Sequence, residues 1–324
     1  MKESFYYIAD ASILFCALPH PTLALRSLVF EVRNTAQLRS FPMRALWHGK
    51  VLLSCVSLLF LSSFASFAAT YRQIDVPGST STVIYGINSG GQMVGKYSTV
   101  TGGSGFVFSN GKFTNINYPG TTGDTASGIN DHGDIVGYYY TDALHSFLYH
   151  NGQFISIAFP GATSTQVNGI NNVGDMVGGY IDKAGHWHGF LLHEGQFTSI
   201  EVTGADFISA SGINDRGFVV GYSHTYCDGS CDITENFLFY GGHVHEGSLE
   251  TATYGINNLN EVVGDCNVAR GQAFIGCLLT LHSTLYWNYP GMYWTAPNAI
   301  NDQGVIVGEI EDFSLDKHGF VLRP

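Results

Sequence analysis

The chain has 324 residues, 45% of them hydrophobic and only 12% charged, with 40 glycines and 22 phenylalanines. That composition suffices for a sizeable core and favours turn-rich β structure over helix bundles or disorder. From residue 69 onward 8 Lys and Arg stand against 23 Asp and Glu, which excludes nucleic acid and anionic membranes as partners, since both require clustered Lys and Arg.

Residues 1–42 read as an over-extended start, because Met43 stands where an ordinary leader begins. Arg44 and Lys50 precede an apolar run, Val51 to Phe64, which is closed by Ala65-Ser66-Phe67-Ala68-Ala69. Basic, apolar and small-residue segments in that order predict a secretory signal over residues 43–68. The apolar run is short and serine-rich for a spanning helix, so an uncleaved anchor ranks second. The expected mature part is residues 69–324, with no membrane insertion after cleavage.

That part begins with Tyr71-Arg72-Gln73-Ile74-Asp75-Val76-Pro77-Gly78 and then repeats itself. Gly86-Ile87-Asn88 returns as Gly128-Ile129-Asn130, Gly169-Ile170-Asn171, Gly212-Ile213-Asn214 and Gly255-Ile256-Asn257, and a sixth copy, Ala299-Ile300-Asn301, changes only the glycine. The steps are 42, 41, 43, 43 and 44 residues, and each copy has a Val-Gly pair whose glycine lies seven residues after the asparagine. Each period divides into four strand-like runs. In the third period these are Thr165 to Ile170, Asp175 to Tyr180, the Gly189-Phe190-Leu191-Leu192 segment, and Gln196 to Val202, separated by turn residues. Four short strands in such a period make a propeller blade. The fold expected is all-β, a six-bladed β-propeller.

The two ends of the repeat array complete one another. Tyr71 to Gly78 matches a fourth strand with its Pro-Gly exit, as in Phe113 to Gly120, whereas Gly319 to Pro324 is a third strand with nothing after it. The N-terminal strand is therefore expected to join the last blade and close the ring, removing exposed edges. Glycine weakens a strand unless another backbone comes close, so the recurring glycines predict crowding around a narrow axis. The fourth run of blade four, around His243 to Leu249, and the stretch Thr280 to Pro290 in blade five depart from the pattern.

The triplets His145-Ser146-Phe147, His188-Gly189-Phe190 and His318-Gly319-Phe320 resemble the element that gives the HAF-repeat family of bacterial extracellular proteins its name. Blades one, four and five keep the phenylalanine (Phe106, Phe237, Phe274) without the histidine. The resemblance covers residues 71–324. It implies export and a repeat β fold, and it transfers no catalytic residue.

The short Asn-x-x-Gly turns share one face of such a propeller. The Pro-Gly loops and variable second-to-third-strand loops share the other, where a ligand is expected. Candidate ligand-binding residues on that face are Tyr139, Asp182, His186, His188, Glu311 and Asp312. A histidine two residues before the core phenylalanine in three blades also suggests a structural job, bonding across its hairpin. Cys227, Cys231, Cys266 and Cys277 predict two disulfides. The local pairs 227–231 and 266–277 are favoured, the other pairings stay open, and the spacing argues against a four-thiolate zinc site.

Six asparagines, Asn88 to Asn301, would ring one mouth of the channel, and their place at the start of a turn explains them without a ligand. The neighbouring Asp131, Asp134, Asp175, Asp215 and Asp302 do not form the dense oxygen loop of an EF-hand. No cofactor is expected, and a structural or channel-bound metal ion such as Ca²⁺ stays open. The function expected is a monomeric, non-enzymatic binding or scaffolding module for an extracellular glycan or protein. The alternative is a carbohydrate-active hydrolase or lyase using loop groups such as Asp182, His188, Glu311 and Asp312. That alternative requires two carboxyl groups in one pocket, one of them with a raised pKa.

Overall fold

The computed structural model describes residues 69–226, 232–247, 251–266, 275–281 and 283–324. Among these, 24 strands form six four-stranded antiparallel sheets, and no helix is long and apolar enough to cross a membrane. After β1 (Thr70–Ile74), blade one comprises β2 (Ser81–Ile87), β3 (Met93–Thr99), β4 (Gly102–Ser109) and β5 (Lys112–Ile116). Blade two comprises β6 (Thr125–Ile129), β7 (Ile135–Tyr140), β8 (Leu144–His150) and β9 (Gln153–Ile157). Blade three is β10 (Ser164–Ile170), β11 (Met176–Ile181), β12 (Trp187–His193) and β13 (Gln196–Ile200). Blade four is β14 (Phe207–Ile213), β15 (Val219–Tyr226), β16 (Asp232–Tyr240) and β17 (His243–Glu246). Blade five is β18 (Thr251–Ile256), β19 (Val262–Cys266), β20 (Ile275–Leu279) and β21 (Thr284–Trp287), and blade six is β22 (Trp294–Ile300), β23 (Ile306–Glu311) and β24 (Lys317–Arg323). The irregular fourth runs of blades four and five form short strands of four residues each.

Blade six takes its fourth strand from the other end of the repeat array. β1 pairs antiparallel with β24, placing Tyr71 opposite Leu322 and Ile74 opposite Gly319. Ile74, Ile84, Phe106, Val307 and Val321 pack into one apolar cluster across this seam. The ring therefore closes as the sequence predicts, and β24 keeps no unpaired edge.

Two features of the repeat explain why the blades pack this tightly. Each innermost strand carries a bulge one residue before its Gly-Ile pair, where the register skips Tyr85, Ser127, Asn168, Ser211, Tyr254 or Asn298. The kinked inner strand presses a carbonyl onto the Val-Gly glycine of the second strand. A Cβ on Gly178 would lie 1.9 Å from Gln166 O, and one on Gly95 would lie 2.0 Å from Val83 O. Behind these glycines sit Phe106, Phe147, Phe190 and Phe320, all fully buried. Phe274 lies outside the described residues. Around the axis, Gly86 faces the Cα of Gly128 at 3.2 Å from its would-be Cβ, and Gly255 faces Ala299 at 2.8 Å. Close approach of neighbouring backbones, the crowding read from the sequence, is what the Gly-Ile glycines permit.

Candidate functional site

The six innermost strands line an axial channel whose two mouths differ in chemistry. At one end each repeated asparagine performs two tasks. Its side-chain oxygen accepts from the backbone N–H four residues on, as in Asp175 to Asn171 Oδ1 at 2.8 Å. Its Nδ2 donates to the backbone carbonyl of the next asparagine: Asn88 to Asn130 at 3.0 Å, Asn130 to Asn171 at 3.2 Å, Asn171 to Asn214 at 3.1 Å. Asn214, Asn257 and Asn301 continue the circuit back to Asn88 at 3.1, 3.2 and 3.1 Å. The turn role is the one the sequence predicts; the interblade circuit is additional. Outside it Asp131, Asn172, Asp215, Asn258 and Asp302 alternate acid and amide. Asn172 Nδ2 bridges Asp131 and Asp215 at 3.1 and 3.0 Å, and Asn258 Nδ2 bridges Asp215 and Asp302 at 2.8 and 2.9 Å. Asp134 and Asp175 bind His150 and His193 Nδ1 at 2.5 and 2.7 Å instead.

At the other end the channel opens into a funnel of about 230 Å³. The six bulge residues supply its wall together with Tyr138, Tyr222 and Glu309, each the residue after a Val-Gly glycine. Tyr85, Tyr138, Tyr222, Tyr254, Trp294 and Glu309 bring rings and a carboxylate. Amides and hydroxyls come from Gln166, Asn168, Asn298, Ser209 and Ser211. Some wall groups also hold the ring together, since Asn168 Nδ2 reaches Ala210 O at 2.9 Å and Asn298 Nδ2 reaches Ile84 O at 3.0 Å in the following blade.

Two carboxyl groups belong to this end. Glu309 is 9% exposed and Asp265 is 5% exposed. Burial raises the pKa of Glu309, against the opposing charge of Lys317, whose Nζ lies 3.0 Å from Glu309 Oε2. Asp265 occupies the same register position in blade five as Glu309 in blade six and Tyr222 in blade four. Its Oδ2 accepts from Tyr254 Oη at 3.3 Å, and its Oδ1 has no hydrogen-bond partner among the described residues. Burial, reinforced by the charge of Glu309, pushes Asp265 up to about 7 although the Tyr254 hydrogen bond and Lys317 act the other way. Burial likewise raises the phenols of Tyr85, Tyr138, Tyr222 and Tyr254, so all four stay neutral hydrogen-bonding groups.

The sequence-predicted site residues lie away from this funnel wall. Tyr139 is 9% exposed and stacks between Tyr118, at 4.3 Å, and His145, at 5.3 Å, so it belongs to the packing of blade two. Asp182, His186 and His188 come together in one loop, with His188 Nε2 3.3 Å and His186 Nδ1 3.5 Å from Asp182 Oδ2. Asp312 is 3.9 Å from His318 Nε2, while Glu311 pairs with Lys317 in the backbone register. His145, His188 and His318 each reach an aspartate of their own hairpin loop, the structural job expected of that repeat position. Asp182 and Asp312 are about one-third exposed and stand in different blades. Backbone hydrogen bonds of their own turns hold Asp182 and Asp312 below the usual carboxylate range, whereas burial raises Asp265 and Glu309, which the sequence reading passed over. Their signal was present as divergence: the position after Val-Gly holds Lys96, Tyr138, Gly179, Tyr222, Asp265 and Glu309 in turn. Cys266 and Cys277 form a disulfide with Cα atoms 5.8 Å apart, as favoured, while Cys227 and Cys231 lie outside the described residues.

No protein-family model matches the chain, and no curated protein matches it. TolB from Acinetobacter baumannii is similar in structure with a TM-score of 0.46 and 11% identity, over 64% of this chain and 54% of that one. A six-bladed β-propeller lectin from Aleuria aurantia gives 0.46 and 10%, over 77% and 93%. The β-propeller domain of the Trilobed protease from Pyrococcus furiosus gives 0.44 and 8%, over 75% and 94%. The chain spans about half the length of the TolB structure. At this level of identity none of these likenesses carries a ligand or an activity to the present chain.

Proposed function

We propose that this protein is an exported propeller of the HAF-repeat kind that binds an extracellular glycan in its axial funnel without catalysis. One observation carries this reading: at the inner positions where the blades should be alike, the repeat diverges at residues that face the funnel. The shared glycines and asparagines already pack and link the blades in the same way all round the ring, and of the diverged residues only some, such as Asn168 and Asn298, add an interblade hydrogen bond. The diverged groups suit a sugar. Tyrosine and tryptophan rings stack on the C–H face of a pyranose, while the amides, hydroxyls and Glu309 match its hydroxyls as donors and acceptors. Export is supported by the three-part pattern of residues 43–68 and by the Cys266–Cys277 disulfide, which belongs to an oxidising compartment.

The test is calorimetric titration against a panel of polysaccharide fragments, repeated with Ser211→Trp, which plugs the funnel, and Trp294→Ala. Binding that both variants lose supports the reading. No binding to any fragment, or binding that survives both, removes it. A hydrolase is the second reading, favoured by the raised pKa values of Asp265 and Glu309. New reducing ends from a bound fragment, abolished by Asp265→Asn, would replace the binding module with an enzyme.

A further inference from the structure

The second-to-third-strand loops of blades three and six have the same backbone, and comparing them isolates one side chain. In blade three Asp182 N–H donates to His186 O at 3.0 Å, and Asp182 Oδ1 accepts from Ala184 and His186 N–H at 2.8 and 2.9 Å. In blade six Asp312 N–H donates to Asp316 O at 3.1 Å, and Asp312 Oδ1 accepts from Ser314 and Asp316 N–H at 2.7 and 3.0 Å. Each loop is followed by a histidine whose Nδ1 meets a carboxylate of the outermost strand or its exit: Glu201 Oε2 at 3.0 Å from His188, and Asp75 Oδ2 at 3.1 Å from His318. The histidine-loop-carboxylate unit is thus common architecture. What blade three adds is His186 in the place of Asp316.

That addition completes a ligand set. Asp182 Oδ1 is occupied by the turn, which fixes Oδ2 toward both histidines. Glu201 Oε2 faces Nδ1 of His188, which leaves Nε2 as the ring nitrogen toward Asp182, able to take a metal in exchange for its proton. Asp182 Oδ2 lies 3.3 Å from His188 Nε2 and 3.5 Å from His186 Nδ1. A tetrahedral zinc centre with bonds of about 2.0–2.1 Å separates its ligand atoms by roughly 3.3–3.4 Å. All three ligand atoms lie within 4.8 Å of one another, and the His186 side chain is 71% exposed.

We propose that Asp182, His186 and His188 form a binding site for a divalent transition-metal ion of the zinc type, with Glu201 positioning His188 and a fourth coordination place open to solvent. Two imidazoles and one carboxylate suit such an ion and not calcium or magnesium, which take oxygen shells. Binding replaces the His186 and His188 contacts to Asp182 by metal bonds, and releases any proton that His188 carries.

The experiment is titration of the purified protein with zinc chloride by calorimetry, with calcium chloride as the comparison. The expected result is one zinc ion per chain, unaffected by excess calcium, with affinity reduced roughly tenfold or more in both His186→Ala and Glu201→Gln. Because His186 is largely exposed, the His186→Ala variant should keep the melting temperature of the metal-free protein. Asp316→His installs the missing imidazole in blade six and should raise the stoichiometry to two. Absence of zinc binding, or binding that His186→Ala leaves unchanged, overturns the proposal.

Discussion

The two mouths of the channel are built on the same six strands and obey opposite rules. At the asparagine mouth every blade contributes the same residue, and each side chain is saturated by its own turn and by its neighbour. At the funnel mouth the blades contribute different residues, and behind the wall residue Tyr254 a buried carboxylate oxygen of Asp265 has no partner among the described residues. The first end links each blade to the next; the second leaves part of its polar wall unpaired within the described residues. Repetition in this chain marks the chemistry that links the blades, and its failure marks the wall where we propose that a ligand binds.

The largest way to break the comparison is to open the ring itself. Deleting residues 69–78 removes β1 and bares the edge of β24 together with the apolar seam around Ile84 and Phe106. We expect loss of the single cooperative melting transition, followed by circular dichroism; an unchanged transition would mean that closure contributes nothing. Next in size is the titration of Asp265. Its unfolded carboxyl loses its proton near 3.8 and the folded one near 7. The folded state therefore binds the extra proton between these values, and stability falls as pH rises through that window, by up to ~4 kcal/mol. Denaturant melts from pH 4 to 8 should show this fall, and Asp265→Asn should flatten it and be the more stable protein at pH 8.

Asn171→Ala attacks the other mouth. It strands the N–H groups of Val173 and Asp175 and removes one of the two hydrogen bonds to the carbonyl of Asn214, which keeps Gly217 N–H at 3.0 Å, for a loss of about 2–4 kcal/mol. Glycan binding at the far end should remain at full affinity in the folded fraction. The smallest effect belongs to Gln166→Ala in the funnel wall. Among the described residues its side chain donates to Asn168 Oδ1 at 2.9 Å, so stability should move by less than ~1 kcal/mol, while affinity for a funnel ligand should drop measurably. If Asn171→Ala abolished binding and Gln166→Ala did not touch it, the division of labour between the mouths would be reversed.

The periodicity of Gly-Ile-Asn and Val-Gly determined the number of blades, the four strands in each, and the turn role of the asparagines, because these follow from local hydrogen bonding and strand pattern. The match between Tyr71 to Gly78 and the fourth strands likewise gave the closing strand in advance. The sequence also indicated the face with the variable loops, but its candidate residues there, Tyr139 and the loop acids, sit outside the funnel wall. Only the tertiary structure decided which residues meet at the axis. A bulge in each inner strand turns Tyr85, Ser211, Tyr254 and their counterparts toward the channel. Residues about a blade apart in sequence become neighbours around one cavity. The desolvation that raises Asp265 exists only there, since an isolated strand leaves that carboxyl in water. Period and turn chemistry are local and can be read along a chain; convergence on an axis is a property of the closed ring.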